Sequence, residues 1–357
     1  MKTRNISLLL LLAVGPIAAE AQTYPIPATP DTTNYAGFMT HDPGVTRYHE
    51  PTICHDCGCR NWPLPGCCCD KDSCCPRKWQ ITADYFLYSR DAAAPQTVIL
   101  DNTATIPVYD ISDLDFRFES GTRLSFLHHS YPCVDFELGY LGLFDVTESQ
   151  YLSDGAGLTY SFFGVGPAAP NTSYHAQYIA DLHSIDFNAI HRKWDWLSLI
   201  YGFRWANLDE KYNILLVEDP PSGAMSRSDN ALYGFQFGGS SSVWLGRWMR
   251  LDSSLKAGVY YNHVSITASA EDPGGGGTLS LGQSHCNTAF MGEASLVGTI
   301  PIKDCASLRV GYQLIYLDGV ALAPNQGDDF DLSTGNGSAD WSHILYHGLN
   351  VGLEIVY

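Results

Sequence analysis

Past residue 21 the sequence has no apolar run approaching the roughly 20 residues that a membrane-spanning helix requires. That excludes helical insertion for the rest of the chain and leaves either a soluble protein or a closed barrel, which satisfies its backbone polar groups between strands. Basic residues are scarce: 20 Lys and Arg stand against 38 Asp and Glu, for a net charge of −18. Nucleic-acid partners select clustered Lys and Arg, so none is expected. Catalytic signatures are missing too, with no G-x-S-x-G, H-E-x-x-H, phosphate-binding loop or dinucleotide fingerprint in context. "PGGGGT" at Pro273 to Thr278 is Gly-rich but lacks a following Lys to hold a phosphate. His263 and Asp186 could be drafted into an acid–histidine pair, yet one His among 12 is more simply a satisfied or interfacial side chain. The reading is of a protein that is not an enzyme and needs no cofactor.

What is present points to export. Lys2 and Arg4, the apolar run Ile6 to Val14, and Ala19-Glu20-Ala21 have the pattern of a secretory signal over residues 1–21, cut before Gln22. Residues 22–53, with "TYPIPATPDTTNYAGF", read as an extended Pro/Thr-rich linker. Residues 54–78 hold eight of the 11 cysteines and form an irregular Cys-rich extension. From Trp79 to Tyr357 the chain becomes a series of period-two segments separated by turn-rich breaks.

Ten such segments are predicted, at about 79–90, 115–129, 133–146, 175–191, 195–217, 229–245, 249–270, 284–300, 306–318 and 343–357. The breaks alternate between short and long, as in an up-and-down antiparallel transmembrane β-barrel. The count is therefore about ten strands, with 12 as the alternative, because the apolar phase of "HAQYIADLHSIDFNAIH" changes between Leu182 and Ile185, which suggests a bulge or a wrong boundary. A secreted sandwich would have shorter segments. In the last segment Leu345, Leu349, Val351, Leu353, Ile355 and Tyr357 share one face, interrupted by His347, and Asn350 and Glu354 lie on the other; its partner should be Gln80 to Arg90. The long breaks carry most of the acid, including Asp91, Asp101, Asp110, Glu271, Asp329 and Asp331, whereas the short ones carry Arg192, Lys193, Arg247 and Lys303.

"WQITADYFLYSRDAAAP", "SLRVGYQLIYLDGVALAPNQ" and the closing "GLNVGLEIVY" resemble a beta-barrel porin family of outer-membrane proteins from planctomycete-type bacteria. The resemblance spans about Trp79 to Tyr357. It implies an outer-membrane location with the N-terminal extension in the periplasm, a porin-like passive conduit for small solutes or ions, and Tyr357 as a signal read by the barrel-assembly machinery. Outer-membrane lipid is the other partner expected.

The same faces assign a lumen lined by Asp84, Arg90, Arg117, Glu119, Arg123, Asp135, Glu137, Asp186, Arg204, Arg250, Asp252, Lys256, Glu293, Arg309 and Glu354. A barrel of this size lies near those filled by their own side chains. Opposite charges in so narrow a space either pair into a network or line a narrow cation-preferring path under an acidic rim. The first gives a non-conducting structural or surface-interaction barrel, the second a pore. Cys54, Cys57, Cys59, Cys67, Cys68, Cys69, Cys74 and Cys75 are candidates for disulfides or thiolate metal ligation; export favours disulfides. An odd total leaves at least one thiol over; with Cys133 and Cys305 in expected short turns, the Cys-rich block could tether to the barrel's inner rim or to a neighbouring copy, and the extension could couple the barrel to other envelope proteins.

Overall fold

Alternating side chains from Trp79 onward are realised as one antiparallel sheet that closes on itself. The computed structural model describes residues 78–91, 93, 95–101, 103, 105–114, 116–130, 134–160, 163, 171–194, 196–216, 223–246, 248–271, 277–303, 305–327 and 329–357. The signal segment, the linker, Cys54 to Cys75 and Cys133 lie outside the described residues. The strands are β1 (Trp79–Arg90), β2 (Thr97–Asp101), β3 (Pro107–Asp110), β4 (Glu119–His129), β5 (Val134–Tyr160), β6 (Asn171–Arg192), β7 (Leu197–Leu216), β8 (Gly223–Leu245), β9 (Met249–Glu271), β10 (Thr278–Lys303), β11 (Ala306–Val320), β12 (Phe330–Asp331), β13 (Asn336–Gly337) and β14 (Ser342–Val356). Ten of them, β1, β4 to β11 and β14, form the barrel wall, each paired with the next. Closure runs from Gln80 opposite Val356 to Arg90 opposite Tyr346, the partner expected for the last strand. The short breaks and the chain end at Tyr357 share one rim. There the backbone N–H of Trp79 donates to the carbonyl of Tyr357 at 3.0 Å.

Strand length departs from expectation. β4 begins at Glu119 rather than near 115, and β5 continues past 146 to Tyr160. β8 and β9 have 23 residues each and β10 has 26, about twice the 9–11 that a tilted strand needs to cross lipid. The excess builds a second storey beyond the rim opposite the short turns. Glu148 and Arg227, expected in loops, lie on its strands.

The two storeys have opposite polarity. On β9, Leu251, Leu255, Val259 and Tyr261 face out while Arg250, Asp252 and Lys256 face in; further along, His263, Ser265 and Thr267 face out while Val264, Ile266 and Ala268 are buried inside. Neighbouring strands change at registered positions: Ile185 pairs with Trp205, Trp205 with Tyr233 and Tyr233 with Tyr261, and the next outward row is His183, Asn207, Ala231 and His263. This explains the phase change between Leu182 and Ile185. β6 stays in unbroken register with β7 from Tyr174 to Arg192, so no bulge lies there. The direction of each side chain continues to alternate, and only the chemistry of the two faces is exchanged. The ladder between β5 and β6 does shift, between Leu143 and Val146 and again between Ser153 and Leu158; at the first shift Asp145 has φ 50° and its N–H donates to Asp181 Oδ1 at 2.8 Å.

Inside the second storey is a largely apolar, buried core. Leu182, Leu208, Leu232, Val264, Ile266, Leu317 and Ile344 line it, each no more than 1% exposed. Segments expected as acidic loops supply much of the filling. The β2–β3 hairpin, which pairs with β5, contributes Val98, Ile99 and Tyr109, and the following turn adds Ile111 and Leu114. Burial pushes the Tyr109 phenol up to about 12. Between β11 and β14, residues 321–327 enter the barrel as a buried plug that includes a 3-10 turn at Ala323–Gly327. Phe330 and Phe163 close over the plug; the N–H of Phe163 donates to the carbonyl of Gly327 at 2.8 Å.

Candidate functional site in the barrel interior

In the first storey the inward faces carry the charged side chains, interspersed with a few apolar ones such as Ile190, Ile200 and Val297, so the charges meet across the lumen. Glu293 on β10 is the centre of one cluster: Arg123 of β4 lies at 2.5 Å, Arg204 of β7 at 2.7 Å and Lys256 of β9 at 3.3 Å. Asp186 of β6 shares Arg204 at 3.5 Å and Lys256 at 3.4 Å. Asn188 donates to Asp186 at 2.5 Å and, more weakly at 3.5 Å, to Glu137, while Gln236 donates to Asp186 and Asn188. A Cβ on Gly139 would stand 2.3 Å from the Asp186 carboxylate, so glycine makes the room for that charge.

A second cluster lies toward the short turns. Glu354 of β14 accepts from Arg250 at 2.8 Å, Arg309 at 3.4 Å and Gln80 at 3.0 Å. Arg309 also pairs with Asp84 at 3.1 Å, and Arg250 with Asp252 at 2.8 Å, which in turn accepts from Thr299 and Ser242. At the rim Asp135 pairs with Arg192 at 3.2 Å and lies 3.3 Å from His129. Glu119 is half-buried opposite Tyr88 at the start of β4. Arg117 is exposed and precedes β4, so it takes no place on the wall; the strand there begins later than the sequence suggested.

A third constellation, in the apolar storey, holds the plug. Arg90 and Glu210 form a buried pair at 3.1 Å. The guanidinium also donates to Tyr178 and lies 4.7 Å from the ring centre of Phe116. The other oxygen of Glu210 accepts the N–H of Ala323 at 2.9 Å. Asn230 accepts the N–H of Ala321 and donates to its carbonyl, both at 2.9 Å, and Ser228 donates to the same carbonyl at 2.8 Å. Sequence reading missed Glu210, Asn230, Ser228 and the plug itself. The available signal was the apolar "VALAP" inside an otherwise acidic break, matched by polar residues at inward positions of β8.

Chemically, every buried ion in these clusters faces at least one of opposite sign, and buried ions are tolerated only when so paired; the second cluster sets three carboxylates, Asp84, Asp252 and Glu354, against Arg250 and Arg309. Asp186 faces into the lumen and His263 faces out, so the two stand on opposite sides of the wall and form no acid–histidine pair. On the outer surface, exposed apolar side chains such as Phe235, Val259, Leu353 and Tyr85 form a belt, with Trp79, Trp194, Trp196 and Trp248 exposed near the short-turn rim. At the opposite border Tyr140 and Tyr312 hydrogen-bond His183 and His347 at 3.1 and 2.7 Å, which places the His that interrupts the apolar face of β14 in a polar contact.

Among solved structures, the chain is similar to the outer membrane protease OmpT of Escherichia coli, with 8% identity over 78% of this chain and 97% of that one and a TM-score of 0.46. It is also similar to the translocator domain of the autotransporter NalP of Neisseria meningitidis (12%, 78% and 88%, TM-score 0.37) and to the Ralstonia pickettii toluene transporter TbuX (8%, 79% and 90%, TM-score 0.32). Likenesses this distant say nothing about activity. No family model and no curated protein matches the chain.

Proposed function

We propose that the chain is an outer-membrane β-barrel that is closed to solutes and serves as a structural and surface-presenting protein. The short turns and residues 22–78 face the periplasm in this reading, and the second storey stands outside the cell. The apolar belt favours the membrane location: on β9 it spans Leu251 to Tyr261, matching the length a tilted strand needs, and aromatic residues mark both of its borders. The observation that carries the closed state is the plug. Among the described residues, 321–327 and the apolar side chains around them are almost wholly inaccessible to water, which supports a closed lumen.

The resemblance to a porin family suggests a conduit instead, and the paired lumen charges would then be its selectivity elements. Conductance separates the two. Purified protein in a planar bilayer should be insulating while remaining heat-modifiable on gels; steady cation-selective steps would overturn the closed reading. Lipid and the assembly machinery are the partners this reading requires. The cysteines of the extension are its proposed link to other envelope proteins, to be read from gel mobility with and without reductant.

A further inference from the structure

The outer wall carries a nucleophilic pair that the closed-barrel function does not use. His263 on β9 and Cys286 on β10 are directly opposite in register, both point outward, and both are exposed. Cys286 Sγ lies 3.5 Å from His263 Nδ1, and Tyr261, two residues before that His, donates its O–H to the same sulfur at 2.8 Å. A base and a hydrogen-bond donor thus converge on one thiol.

We propose that Cys286 is a reactive surface thiol that exchanges with small external disulfides, with His263 as its base. Sγ gives its proton to Nδ1, and the thiolate attacks one sulfur of the disulfide. A new S–S bond to Cys286 forms as the old one breaks, and the departing thiolate takes the proton from the imidazolium. One disulfide is consumed and one formed, so no further oxidant is needed. The phenol stabilises the thiolate by hydrogen bonding, and the imidazolium stabilises it by charge. Among the described residues, other titratable groups near this level of the wall include Asp318 on β11, opposite Phe290, Asp229 on β8, opposite Ser265, and His285, which precedes Cys286 on β10 opposite Val264. None is in register with Cys286.

The site's accessibility to external disulfides rests on the outer-membrane reading; its chemistry does not, and two measurements keep them apart. For the purified full chain in detergent, the rate of labelling by dithiobis(nitrobenzoate) is followed against pH, with peptide mass spectrometry locating the label and Cys286→Ser as the blank. Cys286 should react about tenfold faster than free glutathione at pH 7. His263→Ala should abolish the advantage, and Tyr261→Phe should reduce it in part. Equal rates for Cys286 and glutathione, or a rate unchanged in His263→Ala, would overturn the proposal. Intact cells are then treated with a membrane-impermeant maleimide. Labelling at Cys286 supports outward exposure; fast reaction of the purified protein without labelling of cells removes the orientation and keeps the pair.

Discussion

Glu293→Gln tests how dry the lumen is. The substitution keeps the side chain's size but removes the negative charge that faces Arg123, Arg204 and Lys256. Three cations are then left with Asp186 and the more distant Glu137. Two unit charges at about 4 Å attract by about 4 kcal/mol at an effective dielectric near 20, but by only about 1 kcal/mol in bulk water. Glu293 is 2% exposed, so the loss should approach the 3–5 kcal/mol, roughly, that follows removal of one partner from a buried pair. Asp209→Asn supplies the comparison: its pairing with Arg227 at 2.7 Å is on the exposed outer wall and should cost about 0–1 kcal/mol. The assay is urea unfolding of protein refolded into lipid vesicles, read by tryptophan fluorescence and by heat-modifiable migration. Adding Lys256→Met to Glu293→Gln removes one of the stranded cations and should recover part of the loss. If Glu293→Gln cost no more than Asp209→Asn, the lumen would be behaving as water. The argument from burial would then fail for the first storey, and the closed reading would stand on the plug alone.

Three further expectations probe the other parts of the molecule. Asn230→Ala removes both hydrogen bonds to Ala321; Ser228 still donates to the carbonyl, so the buried N–H is the backbone group left unpaired, at a cost of about 1–3 kcal/mol, and hydrogen exchange across 321–327 should accelerate while that of β8 and β9 stays slow. On β9, Val259→Lys falls in the belt and Thr267→Lys in the second storey, both at outward positions. The first should destabilise vesicle-inserted protein by about 2–4 kcal/mol and the second by almost nothing, and equal effects would remove the two-storey assignment. Asp101 accepts hydrogen bonds from Thr103 and from the N–H groups of Thr105 and Ile106, first the hydroxyl and then the backbone, which lower its pKa to about 2. Because the folded value lies below the unfolded one, about 3.9, its support for the β2–β3 turn is fully present at neutral pH and is lost as pH falls through about 2. Protection from exchange in 101–106, taken relative to the intrinsic rate at each pH, should therefore fall between pH 4 and pH 2, and Asp101→Asn should show the lowered protection at every pH.

Much of the architecture was legible because the relevant signals are local. Period-two alternation in β9, β11 and β14 identifies strands and their two faces without any knowledge of their neighbours, and the alternation of short and long breaks identifies an up-and-down order. β1 was bounded correctly because Arg90 ends a clean alternation before an Ala-rich break. β5 was not. Its second half, "TESQYLSDGAGLTY", has no apolar period, since pairing with β6 and β2 rather than an amphipathic face holds it extended. The phase change in β6 was visible in the sequence but its meaning was not: a bulge and an exchange of solvents give the same one-residue shift in an apolar pattern.

By itself, then, the sequence determined that the chain is an antiparallel barrel with an apolar outside and charged inside over the first storey, because outward-facing and lumen-facing positions alternate along every strand. Tertiary structure decided which charges become partners. Glu293 meets Arg123 and Asp84 meets Arg309 across 170 and 225 residues of chain, distances that no local pattern spans and that depend on the stagger of ten strands around the wall. It also decided that the barrel is filled above the belt. Whether an apolar segment such as 321–323 stays in solvent or enters a core depends on a cavity that exists only once the wall has closed.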